Sequence, residues 1–152
     1  MFSKIVFILL ITFSFGFSKT LKLGQSITPF SLPDQFDKVH QVNSKDYKIL
    51  IIAFEKDIAV MMNDYLKEQG DTFLDEHQAL FISDIHEMPS FVTKMFAMPK
   101  MRKYKYPLLL IYDESNIFPK QEESLTILKT KDNEIVEINF VKDEAFVKTI
   151  FE

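Results

Sequence analysis

Three short clusters carry the side chains that could do chemistry: Glu55-Lys56-Asp57, His86-Glu87 and Tyr106-Pro107. Carboxylates, an imidazole and an ammonium held together can move protons, and they can equally grip charged groups on a partner. No nucleophile accompanies them. The chain has no cysteine, so it owns no thiolate with which to attack a disulfide or a peroxide. No set of ligands at metal-binding spacing is evident, so neither catalytic residues nor metal ligands are assigned. Methionine offers a second chemistry. Met88, Met95, Met98 and Met101 crowd one stretch, and the last three are spaced by three residues. Soft thioethers select copper(I), which makes Met95, Met98 and Met101 the alternative site, although Met more commonly fills gaps on an apolar helix face. A basic run of Lys100, Arg102, Lys103 and Lys105, interleaved with Tyr104 and Tyr106, could meet an acidic partner or lipid headgroups; its plainer reading is a solvated loop.

The elements that must position these residues follow from hydrophobic periodicity. Ile49 to Phe54 is an apolar run of buried-strand type. Ile58, Met61, Met62, Tyr65 and Leu66 then fall on one helix face, with Asp57 as the expected N-cap and Gly70 as the stop. Asp71 to Gln78 reads as a helical extension or a turn, and Ala79 to Ile85 as a second buried strand, so a parallel crossover joins the two strands. Pro89 to Met98 predicts a short helix stopped by Pro99, with Phe91, Met95 and Met98 sharing its apolar face. Tyr106-Pro107 opens a third strand, Leu108 to Tyr112, and an aromatic-Pro step favours a cis bond comparatively well.

Before this core, Phe30 to Leu32 and Val39 to Val42 predict a hairpin turning at Asp37, a residue that tolerates positive φ; His40 on its return strand reads as a surface residue. After it, Leu125 to Thr130 and Ile135 to Val141 predict a hairpin about Asp132-Asn133. Alternation of Val136, Ile138 and Phe140 with Glu137 and Asn139 gives this hairpin one covered face. A last helix, opened by Asp143, returns Phe146, Val147, Ile150 and Phe151 to the sheet.

The N-terminal segment suggests an address, and composition argues against one class of partner. The 152 residues, 47% hydrophobic, suffice for one domain with a real core, and a net charge of −4 argues against a nucleic-acid footprint. Lys4, the apolar run from Ile5 to Phe13 and Gly16-Phe17-Ser18 have the order of a secretory signal cut before Lys19. Residues 1–18 are therefore expected to be a signal peptide and residues 19–152 the mature domain, exported, periplasmic where the cell has such a compartment. The alternative is an uncleaved membrane anchor, although the span from Ile5 to Phe17 is short for a bilayer crossing; with the signal removed no stable membrane span is expected.

The order hairpin, strand, helix, strand, helix, aromatic-Pro-strand, hairpin, helix resembles a thioredoxin-like domain of the peroxiredoxin or exported thiol-disulfide reductase type. The segment Leu23-Gly24, Pro29, Phe30, Leu32, Asp34-Gln35 and Lys38 resembles the opening of that group, with Asp37 in place of a glycine. Ile51 to Phe54 is similar to the strand before its active-site helix, and Arg102 to Tyr112 to the segment that carries its cis-proline, which falls on Pro107. The resemblance implies a three-layer α/β/α sandwich with a mixed central sheet and an N-terminal β-hairpin. It also implies that paired cysteines would fall near Ala59 and Met62, where neither residue can perform their chemistry. The expectation is a non-catalytic module that holds an unidentified protein or peptide of the cell envelope on the former active-site edge, through Glu55, Lys56, Asp57, His86, Glu87, Tyr106 and Pro107, without a cofactor. The alternatives are copper(I) handling and a non-thiol enzyme.

Overall fold

The computed structural model describes residues 20–152; the expected signal segment, residues 1–18, lies outside them. After an extended lead-in, β1 (Phe30–Pro33) and β2 (Val39–Val42) form an antiparallel hairpin whose turn holds Asp37 at φ 63°. Asp34 organises that turn. Its Oδ1 accepts the backbone N–H groups of Phe36 and Lys38, and its Oδ2 lies 2.7 Å from His40 Nε2. His40 is thus a half-buried partner of a buried carboxylate and not a free surface residue.

The central sheet follows the predicted periods. β3 (Ile49–Ala53) is buried throughout and leads into α1 (Lys56–Gln69), α2 (Phe73–Glu76) and β4 (Ala79–Asp84). β3 and β4 are parallel, β4 is parallel to β5 (Leu108–Ile111), and β3 pairs antiparallel with β6 (Leu125–Lys131). β7 (Glu134–Val141) completes the order β5-β4-β3-β6-β7. Side chains alternate across this mixed sheet. Ile49, Ile51, Phe81 and Leu110 meet Met62 and Leu66 of α1 and Val147 of the C-terminal helix Glu144–Val147 on one face. Leu50, Ile52, Ile82 and Leu109 meet Ile27, Val42 and Phe118 on the other. The third layer is therefore built from the hairpin and extended segments, with no helix contributing to that buried cluster among the described residues. No helix among the described residues is long and apolar enough to cross a membrane.

The structure differs from the sequence reading at further places, among them the last helix, where Phe146 is exposed while Val147 and Ile150 are buried. The helix N-cap is Glu55, not Asp57, because α1 begins at Lys56; Glu55 makes no side-chain capping bond, since its Oε1 accepts the N–H of Glu123 at 2.9 Å. Asp57 instead lies in the first turn, where its charge favours the helix dipole. Pro99 does not stop the second helix. The run continues from Ser90–Val92 through a π turn, Thr93–Ala97, into Met98–Met101. Met98 N–H bonds to Thr93 O, five residues back, and a widened turn accommodates a residue with no N–H to place. On this run Met98 is buried, whereas Phe91, Met95 and Phe96 are exposed, so they form no shared core face. In the last hairpin a register shift after Lys129 leaves Val136 unpaired, and Val136 and Phe140 are exposed while Ile135 and Val141 are buried. Asp132 and Asn133 take the expected positive φ of its turn. Finally, no peptide bond among the described residues is cis, so Tyr106-Pro107 is trans.

Candidate functional site

The carboxyl ends of β3 and β4 open into a groove of about 730 Å³ between α1 and the 90–101 run. Glu55, Lys56 and Asp57 reach it because α1 starts directly after β3, and His86 and Glu87 reach it because β4 ends at Asp84. Val92, Phe96, Ala97, Lys100, Met101 and Tyr104 form the opposite, mostly apolar wall, with Ala59 and Asn63 of α1 behind. The groove thus has a charged end and an apolar end. Five of the seven residues expected at the site line it.

Tyr106 and Pro107 do not. Tyr106 is buried, its hydroxyl donates to Asn63 Oδ1, and its ring stacks on Tyr104 at 5.6 Å. Burial, reinforced by Tyr104 and Asp64, pushes the Tyr106 phenol well above its ordinary pKa, so it acts as a neutral donor. Pro107 is exposed, and the backbone on either side of it is already taken. Gln35 Nε2 donates to Tyr106 O and Gln35 Oε1 accepts from Leu108 N–H, each at 2.9 Å. Tyr106 supports the groove through Asn63 and Tyr104, and the edge beside Pro107 is held by the chain's own hairpin turn.

His86 is the group the charged end is built around. Asp84 Oδ1 accepts the His86 backbone N–H at 3.0 Å and lies 2.7 Å from Nδ1, an Asx turn that fixes the ring. The Asp84 hydrogen bond outweighs partial burial, and Asp84, Glu87 and Glu114 add attraction, so the His86 pKa is raised. Glu87 Oε1 stands 3.8 Å from Nε2. Sequence reasoning missed Asp84 and Gln35. Asp84 had a signal, a carboxylate closing a buried strand two residues before a histidine; a turn glutamine such as Gln35 has none.

The methionines diverge. Met98 is buried and its Sδ lies 3.9 Å from the Tyr112 hydroxyl, Met95 is exposed, and Met101 lines the groove together with Met88. No cluster of His, Asp and Glu side chains among the described residues has metal-binding geometry.

No protein-family model matches the sequence, and no curated protein matches it either. Solved structures do. Peroxidoxin BcpB from Mycobacterium tuberculosis superposes with a TM-score of 0.54 at 14% identity, over 86% of this chain and 94% of that one. The fold is thioredoxin-like. A putative protein disulfide isomerase from Bacteroides thetaiotaomicron agrees at TM-score 0.53 and 16% identity, over 86% of both chains. A putative thiol:disulfide interchange protein DsbE from Chlorobium tepidum agrees at 0.52 and 9% identity, over 86% of this chain and 96% of that one. Of the two positions near which the resemblance would put cysteines, Ala59 borders the groove and Met62 is sealed in the core. This thioredoxin-like sheet therefore carries a groove at its strand ends without any thiol.

Proposed function

We propose that the chain is an exported, non-catalytic thioredoxin-like module that holds a segment of a partner protein or peptide in the groove between α1 and the 90–101 run. The groove itself is the observation that carries this reading: about 730 Å³, one end charged and hydrogen-bonding, the other lined by Val92, Phe96, Ala97 and Met101. Such a cleft suits a segment with an apolar anchor followed by a polar or acidic group that Lys56 and His86 can meet. The absence of any cysteine removes exchange with a bound disulfide, so contact without electron transfer is what remains for the site. Contacts come from Lys56, Asp57, His86 and Glu87, with Tyr106 supporting the wall from behind.

A photo-crosslinking residue at Val60, inside the groove, tests it. It should trap a discrete envelope polypeptide, and Lys56→Glu or Phe96→Asp should abolish the adduct. The same residue placed at Lys131, in β6 and outside the groove lining, should trap none. Equal trapping at both positions would retire the reading.

Copper(I) handling has one observation in its favour, since the Met88 and Met101 thioethers line the same groove as the His86 imidazole. Titration with copper(I) decides it; no binding tighter than micromolar ends it.

A further inference from the structure

We propose that the outer face of the 90–101 run docks on an anionic lipid surface. Thr93 and Met98 are buried and pin the run to the body of the protein, leaving Phe91, Met95 and Phe96 at 66%, 59% and 66% exposure, with Phe96 on the groove rim. In an α-helix, residues five apart diverge by more than a quarter turn. The π turn over Thr93–Ala97 removes that divergence, and Phe91 and Phe96 meet edge to face at 6.2 Å. The result is a protruding aromatic knob with Met95 beside it, an exposure that a protein normally avoids unless something covers it.

Charge names the cover. Between Glu87 and Asp113 the sequence has no acidic residue, yet it holds Lys94, Lys100, Arg102, Lys103 and Lys105 in a chain of net charge −4. Arg102 approaches Asp37 at 3.7 Å and Lys105 approaches Asp71 at 3.8 Å. Lys94, Lys100 and Lys103 enter no ion pair among the described residues. Protruding aromatics flanked by a single sign of charge suit a bilayer interface, which takes up apolar side chains without a matching pocket and supplies phosphate groups around them. An acidic protein would need a concave counterpart shaped to the knob. Phe96 and Lys100 border the groove as well, whereas Phe91, Lys94, Met95 and Lys103 do not, so these four separate lipid docking from what the groove holds.

Vesicle sedimentation with the full chain tests the proposal. The protein should sediment with phosphatidylcholine vesicles containing phosphatidylglycerol, far less with phosphatidylcholine alone, and binding should fall with added salt. Lys94→Gln with Lys103→Gln should weaken binding roughly thirty-fold. Phe91→Ser with Met95→Ser should also weaken it, while leaving the unfolding midpoint and the Val60 crosslink in place. Binding that ignores both double variants, as attachment through the apolar residues 5–17 alone would give, overturns the proposal. So does equal binding to both lipids, no binding at all, or competition by polyglutamate without any preference for the anionic vesicles.

Discussion

Gln35 occupies the position of a missing strand beside β5. Its side-chain amide is fully buried and makes both bonds a neighbouring peptide unit would make, to Tyr106 O and Leu108 N–H, straddling a proline that has no N–H of its own. Arg102 Nε donates to Gln35 O at 3.1 Å and closes the turn from outside. Gln35→Ala would leave two buried backbone groups without partners. The expected loss is about 2–4 kcal/mol of stability, read from urea unfolding. A loss under about 1 kcal/mol would mean that water replaces the amide at once and that the turn is only leaning on the sheet. Because this turn fixes the backbone around Pro107, the variant should also weaken crosslinking from Val60, through Tyr106 and Asn63.

Among the elements, α1 depends on local sequence at its end more than at its start. Glu55 offers no capping bond, whereas Gly70 closes the helix at φ 106°, a conformation that costs an L side chain. A Cβ built on Gly70 meets nothing within 4 Å, so Gly70→Ala isolates that backbone cost. It should destabilise the protein by about 1 kcal/mol without changing groove binding; a neutral result would show the last turn unwinding freely. Strand-helix-strand from Ile49 to Asp84 was legible because each period, two or 3.6, runs long enough to be unambiguous and the turn residues Asp37, Gly70, Asp132 and Asn133 carry their own backbone preferences. The 90–101 run was not. Periodicity shows that a helix has an apolar face, but not that the face is buried, and a π turn alters the period at the point where Pro99 suggests a stop. The charged end of the site was legible from chain order, since strand ends converge; Gln35 and the buried position of Tyr106 depend on contacts 71 to 73 and 43 residues apart, which no local pattern encodes.

For the molecule as a whole, two carboxylate-histidine pairs set opposite dependences on pH. Burial alone would raise the Asp34 carboxyl, but His40 and the N–H groups of Phe36 and Lys38 outweigh it, and the pKa is lowered. Its contribution is present above the ordinary carboxylate pKa and is lost as pH falls through the lower, folded value. Asp84 raises His86, so that contribution is complete below the ordinary imidazole pKa of about 6.5 and fades as pH rises through the higher, folded value. Stability should therefore show an acid limb governed by the hairpin turn and an alkaline-side limb governed by the groove. Asp34→Asn should flatten the first and spare the second; His86→Gln should do the reverse. Magnetic resonance titration of His86 should place its pKa above 6.5, and Asp84→Asn should bring it back down. A His86 that titrates at or below the ordinary value would break the link between the Asx turn and the charge of the groove. Partner crosslinking from Val60 would then have no reason to weaken on the alkaline side, as the raised pKa requires of a groove whose charged end carries an imidazolium.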